Sequence, residues 1–194
     1  MRFQPHYELQ GRHATLMAPS NYHWVNYDEE KMQKTVFTQK AARLGDAKHE
    51  LASRLITLRT KLPVIQKTMN LYVNDAIGFG MTPEQPLYYS DNCFGTADAI
   101  SFRQDPHTNK WMLRIHDLKT GSTRTSIKQL EIYAAIFCLE YDFDPLDIDI
   151  ELRIYKSDDI EIYEPDLDDI MHIIDKIKTY DTLINQIWME EYGD

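Results

Sequence analysis

Two segments constrain this chain most: Phe94-Gly-Thr-Ala-Asp-Ala-Ile-Ser-Phe102 and, after a short break, Trp111-Met-Leu-Arg-Ile-His-Asp-Leu-Lys-Thr-Gly121. Successive side chains of a strand point to opposite sides, so the second segment, read as a strand, puts Leu113, Ile115, Asp117 and Lys119 on one face. An acid and a lysine then close a face that is otherwise core, and Gly121 marks its end. Charge half-buried in this way is costly unless it is paired or holds a metal ion, which makes the Asp-x-Lys end a candidate site. The first segment carries one acid, Asp98, in a small and apolar run. Neighbouring strands bring two such carboxylates close together, where they repel unless a proton or cation lies between them. A hard divalent cation such as Mg²⁺ suits that arrangement, with waters and phosphate oxygens completing its shell. Lys119 is placed to orient a water or to offset phosphate charge.

The same residues carry a resemblance. Gly95-Thr-Ala-Asp98-Ala-Ile100, then Asp117-Leu-Lys119-Thr-Gly121, then Gln129-Leu-Glu-Ile-Tyr133-Ala resembles the motif series of the PD-(D/E)XK nuclease superfamily, in its RecB-type and phage exonuclease branch. Upstream, Gly45-Asp-Ala-Lys-His49-Glu50 is similar to the helix of that branch that supplies a histidine ligand. The motifs span roughly residues 45–134, and the acid of the triplet is Asp117 where Glu is commoner. The resemblance implies a restriction-endonuclease-like α/β core of order α-β-β-β-α-β, with extra N-terminal helices and a C-terminal amphipathic helix. It implies Mg²⁺ or Mn²⁺ held by His49, Asp98 and Asp117, with Glu50 as a substitute ligand and the Leu118 carbonyl as a further one. Asp98, Asp117 and Lys119 would be catalytic, and Gln129 and Tyr133 would support the site or the DNA.

Length and composition narrow the classes. At 194 residues, 43% of them hydrophobic, the chain suits one domain spanning 1–194. No signal pattern and no apolar run of membrane-spanning length occurs, so the expectation is a cytoplasmic protein of a bacterial or phage-infected cell, without a membrane partner. Two cysteines, Cys93 and Cys138, cannot build an iron–sulfur cluster, which needs four ligands of which cysteine supplies most or all. The net charge of −10 is unevenly spread. Residues 140–194 hold 18 acids and 4 bases, against 13 acids and 17 bases in residues 1–139. The motif-bearing part is therefore mildly basic, as a phosphate-binding protein requires. The acidic remainder is a solvated surface or a face for a basic partner.

In chain order, Pro19-Ser20 offers a helix start through Tyr27, whose aromatics Tyr22, Trp24 and Tyr27 pack or stack on bases. Asp28 to Leu44 reads as a helix ended by Gly45, with Asp46 capping the next one, which carries His49. Pro63 opens a further helix that stops at Gly78-Phe-Gly80. Met81 to Pro86, with two prolines, reads as a connection, and Leu87 to Ser90 as a strand forming a hairpin with the Asp98 strand. Thr125 or Ser126 caps a helix through Tyr141, with Leu130, Ala134, Phe137 and Tyr141 on one stripe and Gln129 and Tyr133 on a neighbouring face. Arg124 and Lys128 at its start suit phosphate contacts or plain solvation. Ile148 to Tyr155 alternates as a half-exposed strand, and Pro165 opens an amphipathic helix that covers the domain or forms a dimer seam.

The leading expectation is a metal-dependent DNA nuclease, an exonuclease of phage or bacterial recombination or repair, working with DNA and a single-strand annealing or helicase partner. A non-catalytic nuclease-fold protein that binds or inhibits through its acidic C-terminal region is the alternative, and a hydrolase of small phosphoesters a third.

Overall fold

The computed structural model describes residues 4, 7, 14, 16–104, 106, 109–121 and 126–192, without the side chains of the last two. It is an α/β protein, and the chain divides into two compact units, Met1–Asp46 and Ala47–Asp194. In the first unit a 3₁₀ segment, Pro19–Asn26, precedes the start of helix α1 (Glu29–Thr57). The Asp28 carboxylate accepts from the Lys31 N–H at 2.7 Å, satisfying a free amide of the first turn. Of the aromatics there, Trp24 donates its indole N–H to the Ala18 carbonyl at 3.1 Å, while Tyr22 is exposed.

Helix α1 differs from its expected form. It runs unbroken through Gly45 and Asp46, so neither stops or caps anything. A glycine inside a helix costs only about 1 kcal/mol relative to alanine, and the flanking Ala, Arg, Leu, Lys and Glu residues are strong helix formers.

The second unit holds a mixed five-stranded sheet of order β1-β2-β3-β4-β5: β1 (Thr82–Ser90), β2 (Cys93–Gln104), β3 (Trp111–Leu118), β4 (Ile148–Lys156) and β5 (Asp159–Tyr163). Pairing is antiparallel except between β3 and β4, which run parallel with Leu113 opposite Ile150 and Asp117 opposite Ile154. A parallel neighbour demands a crossover, and helix α3 (Lys128–Tyr141) supplies it. Helix α2 (Thr68–Gly78) begins five residues after Pro63, and Met81–Pro86 is not a connection: β1 starts at Thr82 and contains both prolines. Proline is tolerated there because β1 is an edge strand. The short edge strand β5 has no counterpart in the sequence reading.

Two cores flank the sheet. Leu87, Ala97, Leu113, Ile115, Ile150, Leu152 and Ile154 pack against Leu130, Ala134 and Phe137 of α3 and Ile170 and Ile174 of helix α4 (Leu167–Tyr192). On the other side Ala99, Leu118 and Tyr155 pack with Ala52 and Ile56 of α1 and Tyr72, Val73 and Ala76 of α2. Each large side chain so buried contributes about 2 kcal/mol. The expected stripe of α3 holds for Leu130, Ala134 and Phe137, but Tyr141 is exposed. Helix α4 covers the sheet only with its first half; Leu183, Ile187, Trp188 and Met189 are exposed. No described helix is long and apolar enough to cross a membrane.

Candidate metal centre

Residues two apart on a regular strand share a face. Ala97 and Ala99 do not: the first packs towards α3 and the second towards α2. The strand therefore turns over at Asp98. Opposite this point on β1, between the register pairs Pro83–Ala99 and Gln85–Ala97, Glu84 adopts a left-handed backbone with φ of 48°. A non-glycine residue there is strained, and such strain clusters where a side chain must be re-aimed.

The paired irregularity turns two carboxylates towards helix α1. His49, Glu84 and Asp98 each offer one ligand atom, and these atoms lie within 4.8 Å of one another. His49 Nδ1 is 3.4 Å from Asp98 Oδ2, which also accepts the Leu118 N–H at 2.8 Å. Burial raises the Asp98 carboxyl from its ordinary 3.8 to about 6, and the charges of Asp117 and Glu84 push the same way. The Leu118 N–H and His49 only partly offset this. Beneath the group, the buried Tyr72 phenol is pushed well above its usual value, first by burial and then by Asp98, Glu84 and Asp117.

Asp117 stands beside this group rather than in it. It follows the last β2–β3 register pair, Ala99–His116, and is 5% exposed. One oxygen accepts from Lys119 Nζ at 2.8 Å, and the other is buried with no partner among the described residues. An unmet carboxylate oxygen next to two further carboxylates fits a cation-binding centre, since hard divalent ions take such oxygens together with an imidazole. Lys119 lies 3.4 Å from Gln129 Oε1, so α3 is tied to the end of β3.

Tyr133, one turn on from Gln129, lies over β2. A Cβ added at Gly95 would stand 2.9 Å from its Cε1, which explains the glycine three residues before Asp98. Of the remaining expected residues, Glu50 is exposed and outside the ligand group. Lys128 is bound to Glu131 at 2.5 Å and to Asp169 at 3.3 Å, which commits it to joining α3 and α4 rather than to phosphate. Ser126 accepts the Lys128 N–H at 3.3 Å, as a cap would, while Arg124 and Thr125 lie outside the described residues. Glu84 escaped the sequence reading because its prolines marked a connection; the signal available was an acid facing Asp98 across a hairpin.

No protein-family profile matches the chain, and neither does any curated protein or solved structure. Assignment of a function therefore rests on the site.

Proposed function

We propose that this chain is a divalent-metal-dependent DNA nuclease of the PD-(D/E)XK superfamily, with a restriction-endonuclease-like core, acting as an exonuclease in phage or bacterial recombination or repair. The observation that carries this reading is the His49–Glu84–Asp98 group beside Asp117 and Lys119, where the end of β3 meets the middle of β2. The order α1, α2, β1-β2-β3, α3, β4 in the second unit supports it, because it agrees with the core order of that superfamily.

A divalent cation in this centre supplies Lewis-acid chemistry, polarising a phosphodiester and making water a better nucleophile. The chain's own residues do the rest. His49, Glu84 and Asp98 would hold the cation, the open Asp117 oxygen could add a ligand, and the imidazole would favour Mn²⁺ over Mg²⁺. Lys119, held by Asp117 and Gln129, presents an ammonium to the water or to the phosphate oxygens. Among the described residues no segment forms a base-reading module, so action at DNA ends suits the chain better than sequence-specific cutting.

The test is digestion of end-labelled linear, nicked and closed circular DNA with Mn²⁺, Mg²⁺ or EDTA. Metal-dependent loss of linear DNA alone is expected, reduced about a thousandfold or more by Asp117→Ala and by Lys119→Ala. If well-folded wild type cleaves none of the three forms, the catalytic reading fails and a nuclease-fold binding or inhibitory protein takes its place.

A further inference from the structure

We infer that the outer half of helix α4 is a seam for a second copy of this chain, packed antiparallel across a two-fold axis. The helix begins as part of the core: Ile170 and Ile174 are buried against the sheet, and Ile173 and Ile177 pack beside them. Past Ile177 no described residue of α4 belongs to the core, yet large apolar residues continue. Tyr180, Leu183 and Ile187 are all exposed. Spacings of three and four residues put them on one side of the helix, and the same spacing takes in Lys176 before them and Glu190 after them.

The opposite side of this half is already engaged. Asp181 accepts from Ser90 Oγ at 2.5 Å and from Asn92 Nδ2 at 2.9 Å, and Asn185 accepts from Asn92 Nδ2 at 3.0 Å. Asp181 and Asn185 each stand two positions from Leu183, hence about 200° around the helix from it. The tip of the β1–β2 hairpin thus fixes α4 and leaves Tyr180, Leu183 and Ile187 facing away from that contact.

The order of residues along the seam says what fits it. Lys176, Tyr180, Leu183, Ile187 and Glu190 run cation, three apolar side chains, anion, and neither charge forms an ion pair among the described residues. A stripe of that order is complementary to itself turned end for end, which is what a two-fold interface requires. With the axis at Leu183, the two Leu183 side chains meet, Tyr180 of one copy lies beside Ile187 of the other, and Lys176 of each meets Glu190 of the other. Parallel packing would instead oppose lysine to lysine and glutamate to glutamate. The seam is itself neutral, so two chains of net charge −10 can approach along it. Five residues a side is few beside the roughly 20 to 30 of a standard interface, so dissociation in the micromolar range is expected. No residue of the candidate metal centre takes part.

The experiment is sedimentation velocity on the full chain, from low micromolar to several hundred micromolar. Wild type should pass from monomer to dimer over that range. Leu183→Glu sets two carboxylates on the axis and should stay monomeric throughout, while melting as wild type does because the site is exposed. Lys176→Glu and Glu190→Lys should each weaken self-association about tenfold, since two ion pairs are lost and two repulsions gained per dimer. An equimolar mixture of these two variants should associate as wild type does, because the heterodimer restores both attractive pairs. Asp117→Ala should dimerise normally, so the seam and the nuclease reading are judged separately.

Wild type that stays monomeric at the highest concentration overturns the inference and leaves the face to a different partner. So does Leu183→Glu as dimeric as wild type, and so does a mixture of the two charge variants that associates no better than either alone.

Discussion

The second unit contains two polar clusters with different charge balance. Towards α2, Arg153 pairs with Glu151 at 2.9 Å and with Asp75 at 3.2 Å, and Arg114 meets Glu151 at 3.1 Å. Two arginines answer two acids, and both guanidinium groups lie over the Phe79 ring at 4.6 Å. Tyr155 donates to Asp75 at 2.8 Å, so its oxygen accepts from His116 Nδ1 at 3.2 Å, which leaves Nε2 as a bare acceptor. Burial, then Arg153 and Arg114, hold His116 well below its ordinary pKa, neutral inside the sheet. In the candidate metal centre, by contrast, three carboxylates face one lysine and one imidazole, and one oxygen is unmet among the described residues. The first network balances its charges, though His116 Nε2 has no partner among the described residues; the second holds excess charge, which calls for a ligand.

The largest effect expected is on the charge-balanced network. Arg153→Ala leaves Asp75 and Glu151 short of a cation and should cost about 3 kcal/mol in denaturant unfolding. Its thermal stabilisation by Mn²⁺ should persist, and loss of that response would show that the two clusters are not independent.

Asp98→Asn should act in the opposite sense. It removes a carboxylate whose ionisation burial disfavours, while an amide oxygen still accepts the Leu118 N–H. With a pKa raised from 3.8 to about 6, the metal-free variant should gain up to about 3 kcal/mol at pH 7.5 and lose its response to Mn²⁺. A less stable metal-free variant would mean that Asp98 is already satisfied.

The same shift sets a pH dependence. Between 3.8 and about 6 the folded protein holds the Asp98 proton and the unfolded chain does not. This carboxyl's contribution to metal-free stability therefore falls as pH rises through that window and is level on either side. Protons compete with the cation, so stabilisation by Mn²⁺ should be smaller at pH 5 than at pH 7.5. Calorimetry at the two values, with Asp98→Asn as control, checks both.

The smallest change probes the helix above the site. Gly95→Ala forces a Cβ against Tyr133 and should cost about 1 to 2 kcal/mol, with much of that recovered in the Gly95→Ala, Tyr133→Ala pair. Additive costs in that double-mutant cycle would separate Tyr133 from β2.

Alternation along Trp111–Leu118 and the small, apolar run of Phe94–Phe102 were enough to establish two adjacent strands, and the 3.6 spacing of Leu130, Ala134 and Phe137 enough for the helix that crosses over them. The neighbourhood of Asp98, Asp117 and Lys119 follows from the pairing of those two strands, which sets Asp117 next to the His116–Ala99 pair. Local signals misled where they were weaker than their surroundings: Gly45 lies inside a helix because its neighbours favour one, and Pro83 and Pro86 lie in a strand because its outer edge has no partner to lose.

The placement of Glu84 beside His49 and Asp98, the capture of Lys128 by Glu131 and Asp169, and the tie from Asp158 to Lys67 and Thr68 were decided only by the tertiary structure. Each joins residues distant in the chain or depends on a backbone angle that the composition does not announce. Pattern along a chain records which face a residue presents; the partner it meets there depends on how separate elements pack.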